Sequence, residues 1–193
     1  MTITVLPLSS RKHLLNIALC LALMWGIYDA LMGPDLVSDL RSFTGRYGAY
    51  LLLVSLLFTP LSQRWLWVKR HLALRRNTGV WGFIYASVHV VVWIALEFAF
   101  DWQLMVDEIG GNLFILLGIL AFVLLVPLAA TSNRWGLKKL GYRSWQSLHS
   151  LTYIAIAAVM AHFFMAQKSD VLEPLLLGCV LVAVLLWRYR HAH

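Results

Sequence analysis

Three histidines, His89, His149 and His162, stand within or at the edge of long apolar runs. An ionisable side chain at membrane depth is costly, and where one occurs it marks a functional site by default. His89 sits in GVWGFIYASVHVVVWIALEFAF, and His149 and His162 bracket HSLTYIAIAAVMAH. Neutral imidazole is a good ligand for iron, and haem is commonly held by axial histidine. Two histidines at one depth on neighbouring helices can hold one iron atom between them. The chemistry this predicts is one-electron transfer at a b-type haem, bound by His89 and His162 with His149 as a further cofactor or metal ligand. The competing reading of each is a histidine that only hydrogen-bonds across helices, as polar residues in bundles do.

The elements that must position these rings follow from composition. Only 13% of the 193 residues are charged and 61% are hydrophobic, where a soluble domain carries roughly 25% charged residues. A mean hydropathy of +0.74 makes lipid the solvent. A hydrocarbon core of about 30 Å needs about 20 helical residues. Six runs meet or approach that length: Leu14–Met32, Tyr47–Trp65, Val80–Phe100, Asn112–Ala130, Trp145–Ala166 and Leu172–Trp187. Backbone groups in lipid must be satisfied within the segment, so each is predicted as a helix. None alternates as a membrane barrel strand does. The expected fold is an all-α integral membrane protein, a six-transmembrane helix bundle in one domain.

Charge orients it. Arg11 and Lys12 precede the first run; Arg64, Lys69, Arg70, Arg75 and Arg76 lie between the second and third. Arg134, Lys138, Lys139 and Arg143 lie between the fourth and fifth, and Arg188 and Arg190 follow the sixth. Only Arg41, Arg46 and Lys168 remain for the opposite side, which also takes all nine acidic residues. The positive-inside rule puts the basic side, and both termini, in the cytoplasm. The net charge of +7 therefore records orientation in a membrane and gives no reason to propose nucleic acid. Cys20 and Cys179 fall within spans, with no disulfide or metal spacing. Trp65, Trp67, Trp102, Trp135, Trp145 and Trp187 mark span ends, where amphipathic rings anchor. No glycine-rich phosphate fingerprint is present and the lone Gly110–Gly111 pair reads as a turn, so no nucleotide-binding domain is expected in this chain.

His89 lies about 13 Å into the third run counted from Val80, and His162 about 19 Å beyond His149. Starting the third helix one turn earlier, at Asn77, brings His89 and His162 to similar depth. Gly82, Tyr85 and Ala86 offer a face near His89 that a flat macrocycle can approach. His149 and His162 stand about 140° apart around a straight helix, so both face one neighbour only if that helix is distorted. A second haem beside His149 would need a partner near Arg75, where no histidine stands. Arg75, Arg76 and Lys139 are candidates to neutralise propionates, and the residues leave the number of haems, one or two, open.

The segments RSFTGRYGAYLLLVSLLFTPL at 41–61, GVWGFIYASVHV at 79–90 and WQSLHSLTYIAIAAVMAHFF at 145–164 resemble the MsrQ (formerly YedZ) family. That family comprises haem-binding membrane subunits of the bacterial periplasmic methionine sulfoxide reductase system, within the ferric-reductase-like transmembrane superfamily. The resemblance covers roughly residues 40–190. It implies a single ferric-reductase-like transmembrane haem domain over 1–193, in the bacterial inner membrane, with His89, His149 and His162 at the haem-associated positions. It further implies electron transfer from the quinone pool or a cytoplasmic flavin reductase to a periplasmic molybdopterin-containing methionine sulfoxide reductase, and an association with FMN. NADPH oxidases of the superfamily carry a second histidine near the start of the third span, where this chain has Arg75 and Arg76. The alternative is the membrane module of a ferric or superoxide-forming reductase whose flavin and nicotinamide domain lies on another chain.

Overall fold

A computed structural model describes residues 7–167 and 170–192. Lys168, expected with Arg41 and Arg46 on the side opposite the basic connections, and His193 lie outside the described residues. The described chain is helical, with no strand among its elements. α1 (Leu8–Met32) and α2 (Leu36–Arg64) are joined by a tight turn, with the Asp35 carboxylate capping α2 at the Ser38 N–H. α3 (Leu66–His71) and a 3₁₀ turn lead into α4 (Arg75–Val92), which continues as a π-helical turn over Trp93–Glu97. α5 (Trp102–Gly111), α6 (Leu113–Ala130), α7 (Arg134–Leu140), α8 (Tyr142–Ser150), α9 (Thr152–Ala166) and α10 (Leu172–Ala192) complete the chain.

Five stretches are long and apolar enough to cross a membrane: Leu8–Met32, Leu66–Glu97, Leu113–Ala130, Tyr142–Ala166 and Leu172–His191. The remaining long helix, α2, has 29 residues and is about 43 Å long. Asp39, Arg41 and Arg46 at one end and Gln63 and Arg64 at the other make it more polar than the rest. The surface identifies the solvent. Leu14, Ile17, Leu21, Trp25, Tyr28 and Met32 recur at helical spacing along α1, and all are exposed, Trp25 by 68%. A continuous apolar stripe of that length has no stable place in water, whereas lipid needs no burial of it.

α2, α4, α6 and α9 form a closed ring of four helices, each packed on the next, with α2 against α4 and α6 against α9 the most extensive pairs. α1 lies outside α2 and α4, and α10 outside α2 and α9. Leu52, Leu53 and Leu56 of α2, Leu125 and Leu128 of α6, and Ile156 and Met160 of α9 fill the interior. Close approach of α2 to α4 depends on Gly82, where an added Cβ would stand 2.8 Å from Leu52 Cγ. Small residues let membrane helices approach until backbones and side chains interlock, the main attractive term where lipid is as apolar as leucine.

Three features depart from the expected layout. The third span was expected over Val80–Phe100, but its helix begins at Arg75 and ends in the π turn, followed by Ala99 and Phe100 at φ 47° and 63°. Positive φ in two consecutive non-glycine residues is rare and strained, and it turns the chain sharply toward α5. The fifth span is divided at Leu151 into two helical segments, α8 and α9, so His149 and His162 lie on different segments. The Gly110–Gly111 pair, expected as a turn, forms the last residues of the amphipathic α5.

Replacing Gly82 with Leu should overpack the α2–α4 contact and destabilise the bundle by about 1–3 kcal/mol. Gly178→Leu in α10, where a Cβ meets nothing within 4 Å, should be close to neutral. Thermal unfolding of both variants in detergent checks this; equal melting temperatures would contradict the packing described here.

Candidate haem site between α4 and α9

The bundle interior brings two of the three histidines together. His89, on α4, and His162, on α9, face each other with ring centroids 6.2 Å apart and planes at 80°. His89 Nδ1 lies 3.0 Å from the Arg41 carbonyl oxygen of α2, and His162 Nδ1 lies 2.6 Å from the Phe114 carbonyl oxygen of α6. A carbonyl only accepts, so each Nδ1 carries the proton and donates it. Each Nε2 then keeps its lone pair, the form in which imidazole binds a metal. The separation suits a shared ion: about 2 Å from metal to each nitrogen, plus roughly 1 Å from nitrogen to ring centre, puts the centroids about 6 Å apart.

The rings pass close to backbone. A Cβ on Gly45 of α2 would stand 2.9 Å from His89 Nδ1, and one on Gly118 of α6 would stand 2.8 Å from His162 Nδ1. Residue types and spacing around the histidines alone did not disclose these partners. They lie on other helices, and two of the four contacts are made by backbone oxygen. The signal that could have found them is numerical, since each carbonyl lies 48 residues before its histidine. Gly82, Tyr85 and Ala86, expected to leave room near His89, face helix packing instead. Gly82 meets Leu52, and Tyr85 is 1% exposed with its hydroxyl on the Leu19 carbonyl of α1.

Arg41 ties the pair to the end of the bundle that holds the acidic residues. Its carbonyl accepts from His89 while its guanidinium pairs with Glu97, carried into reach by the π turn. Arg46 pairs with Glu173 of α10, which also accepts from the Tyr50 hydroxyl. These links join α2 to the end of α4 and the start of α10. Arg41 and Arg46 thus each have a carboxylate partner.

His149 occupies a different place. Its ring stacks on Trp145 with centroids 4.0 Å apart, and Nε2 lies 3.1 Å from Thr131 Oγ1 at the end of α6. The Thr131 hydroxyl donates to the Pro127 carbonyl at 2.6 Å, so its oxygen accepts from the imidazole and Nε2 of His149 carries the proton. Arg75 and Arg76 are near enough to act on this ring electrostatically. Arg75 itself donates to Thr59 Oγ1 on α2 at 2.7 Å. Phe83 and Phe122 stack at 5.7 Å between α4 and α6. Among the described residues no three His, Cys, Asp or Glu side chains converge on one metal position. One opposed histidine pair is therefore present, with His149 in a separate polar cluster.

The donor set fits haem iron: two neutral imidazoles, opposed, tethered at Nδ1 and enclosed by apolar helices. Comparison with known proteins agrees with that chemistry. Residues 44–160 match the family described as ferric reductase like transmembrane component. A protein-methionine-sulfoxide reductase heme-binding subunit MsrQ of Caulobacter vibrioides is 35% identical over 166 residues, covering 86% of this chain and 79% of the relative. Proteins of the same name from Brucella ovis and Brucella anthropi are 37% and 36% identical, covering 86% and 88% of this chain and 75% and 77% of theirs. No solved structure matches. With more than half of its length matched by the family model and relatives of 35–37% identity aligned over most of both chains, the chain belongs to the ferric reductase like transmembrane component family, on its MsrQ branch.

Proposed function

We propose that this chain is the haem-binding membrane subunit of a methionine sulfoxide reductase system. It would carry electrons from the quinone pool or a cytoplasmic flavin reductase to a periplasmic molybdopterin-containing reductase that repairs oxidised proteins. The observation that carries the reading is the His89–His162 pair, opposed at 6.2 Å with both Nδ1 atoms tethered. Haem bound there supplies a one-electron couple that needs no proton at the iron. His89 and His162 would hold the iron through their unprotonated nitrogens, and the Arg41 and Phe114 carbonyls, by accepting from Nδ1, would fix the tautomer and raise ligand basicity. The apolar walls built by α2, α4, α6 and α9 exclude water. The MsrQ relatives, named as heme-binding subunits of a methionine sulfoxide reductase, support both the cofactor and the system.

In this reading the chain crosses the bacterial inner membrane six times, with α2 as the polar-ended sixth span and both termini cytoplasmic. The distribution of Lys and Arg supports that orientation. It holds one b-type haem, because Arg75 and Arg76 stand where a second pair to His149 would need a histidine. His149, Trp145 and the two arginines lie at the cytoplasmic edge, where an anionic donor such as FMN or an acidic flavin reductase would approach.

His89→Ala and His162→Ala should each remove the haem absorption of detergent-purified protein, oxidised and dithionite-reduced. Unchanged haem content and spectra in both would overturn the site. His149→Ala, by contrast, should keep the haem and change its rate of reduction by the donor. Complete haem loss in that variant would mean that all three histidines serve one site.

The acidic end supplies the docking prediction. Asp101 is already engaged as the cap of α5, accepting from the Leu104 N–H, so charge reversal there would unravel the helix start. Asp107 and Glu108 are exposed on the same helix. Reversing both to Lys should slow haem reoxidation by the periplasmic partner at low salt, with added salt reducing the difference. Equal rates at low salt in correctly inserted protein would exclude α5 as the docking surface.

A further inference from the structure

The two histidines are held by two copies of one device. In each copy an α-helix offers a backbone carbonyl to Nδ1, Arg41 on α2 for His89 and Phe114 on α6 for His162. In each copy the residue four positions after that carbonyl is glycine, Gly45 or Gly118, and its missing Cβ is the space that the ring edge occupies. The common 48-residue spacing from carbonyl to histidine makes the pair of copies a structural repeat, α2–α4 and α6–α9.

The glycine follows from helix geometry. Every Cα–Cβ bond tilts toward the helix N-terminus, so a side chain covers the turn before its own position. The carbonyl of residue i already accepts the N–H of residue i+4 and has a second lone pair to one side. A side chain at i+4 stands over that free side. Glycine uncovers it, and the imidazole enters to take the second lone pair. Helix packing alone does not explain the choice: an added Cβ at Gly48 would meet the backbone and Cβ of α4, whereas the nearest atoms at Gly45 and Gly118 all belong to a histidine ring.

We propose that Gly45 and Gly118 are positioning residues for the axial ligands, setting both the Nδ1–H···O=C bonds and the near-perpendicular ring planes. The proposal rests on the reading of His89 and His162 as the haem pair. Its consequences are electronic as well as structural. A backbone carbonyl on Nδ1–H makes the imidazole more basic and favours ferric iron, holding the potential down. With each Nδ1 tied to a carbonyl of a different helix, the ring planes stand at 80° to each other.

The wild-type protein provides the first arm. Ferric protein should give the highly anisotropic low-spin electron paramagnetic resonance signal of perpendicular axial imidazoles; the rhombic signal of coplanar rings would overturn the proposal. Gly45→Ala and Gly118→Ala, with all histidines intact, provide the second. Each should retain haem about 10–100-fold less tightly, with a raised midpoint potential and a less anisotropic signal. Gly178→Ala, in open space on α10, should match wild type in all three. Unchanged potential and resonance in both glycine variants would overturn the positioning role while leaving the haem pair standing. Should neither variant fold, the wild-type resonance still decides. Absence of haem from wild-type protein would instead defeat the proposed function itself.

Discussion

Imidazole in an apolar bundle must find partners for both nitrogens, and that requirement organises the structure. An unpaired buried donor costs on the order of 1–3 kcal/mol, more in a medium with no water to substitute. Here the donor nitrogen of each histidine is satisfied by a helix carbonyl that is itself already bonded within its helix. The neighbouring helices must therefore approach within hydrogen-bond distance of the rings and remain there. Glycine on the carbonyl-bearing helix is what permits the approach, and the four-helix ring is what fixes it. The second nitrogens carry no proton and remain available as ligands, with the two rings 6.2 Å apart.

The same constraint explains the polar residues near the acidic end of the bundle. Arg41 holds His89 through its backbone and would be a costly lone cation at the membrane edge without Glu97. The π turn of Trp93–Glu97 and the strained residues after it place that carboxylate within reach. Local irregularity at the end of α4 thus stabilises a residue one of whose atoms belongs to the site. Glu173, shared by Arg46 and Tyr50, links α10 to α2 near the same end.

The helices and the histidine pair were legible in sequence because they depend on patterns that are local or one-dimensional. Apolar runs near the length of a bilayer, basic connections and an ionisable residue inside each run are sufficient to expect His89 and His162 at one depth. α4 starts at Arg75, two residues before the Asn77 start that depth matching required. The resemblance to the MsrQ family, carried by three segments, points to these two residues and also to His149, which the structure sets apart from them. What sequence did not disclose rests on geometry between distant helices. The carbonyl partners have no side-chain signature, Glu97 reaches Arg41 only through a π turn, and the break at Leu151 follows no proline or glycine. The polarity of α2 also blurs its outline as a span, since its ends carry the arginines that the bundle uses.

Near-infrared magnetic circular dichroism of the purified ferric protein, with haem quantified per chain, reads out whether His89 and His162 together ligate one iron. The expected result is the charge-transfer signature of bis-histidine low-spin iron at one haem per chain. A high-spin or single-histidine signature, or two bis-histidine haems per chain, would contradict it.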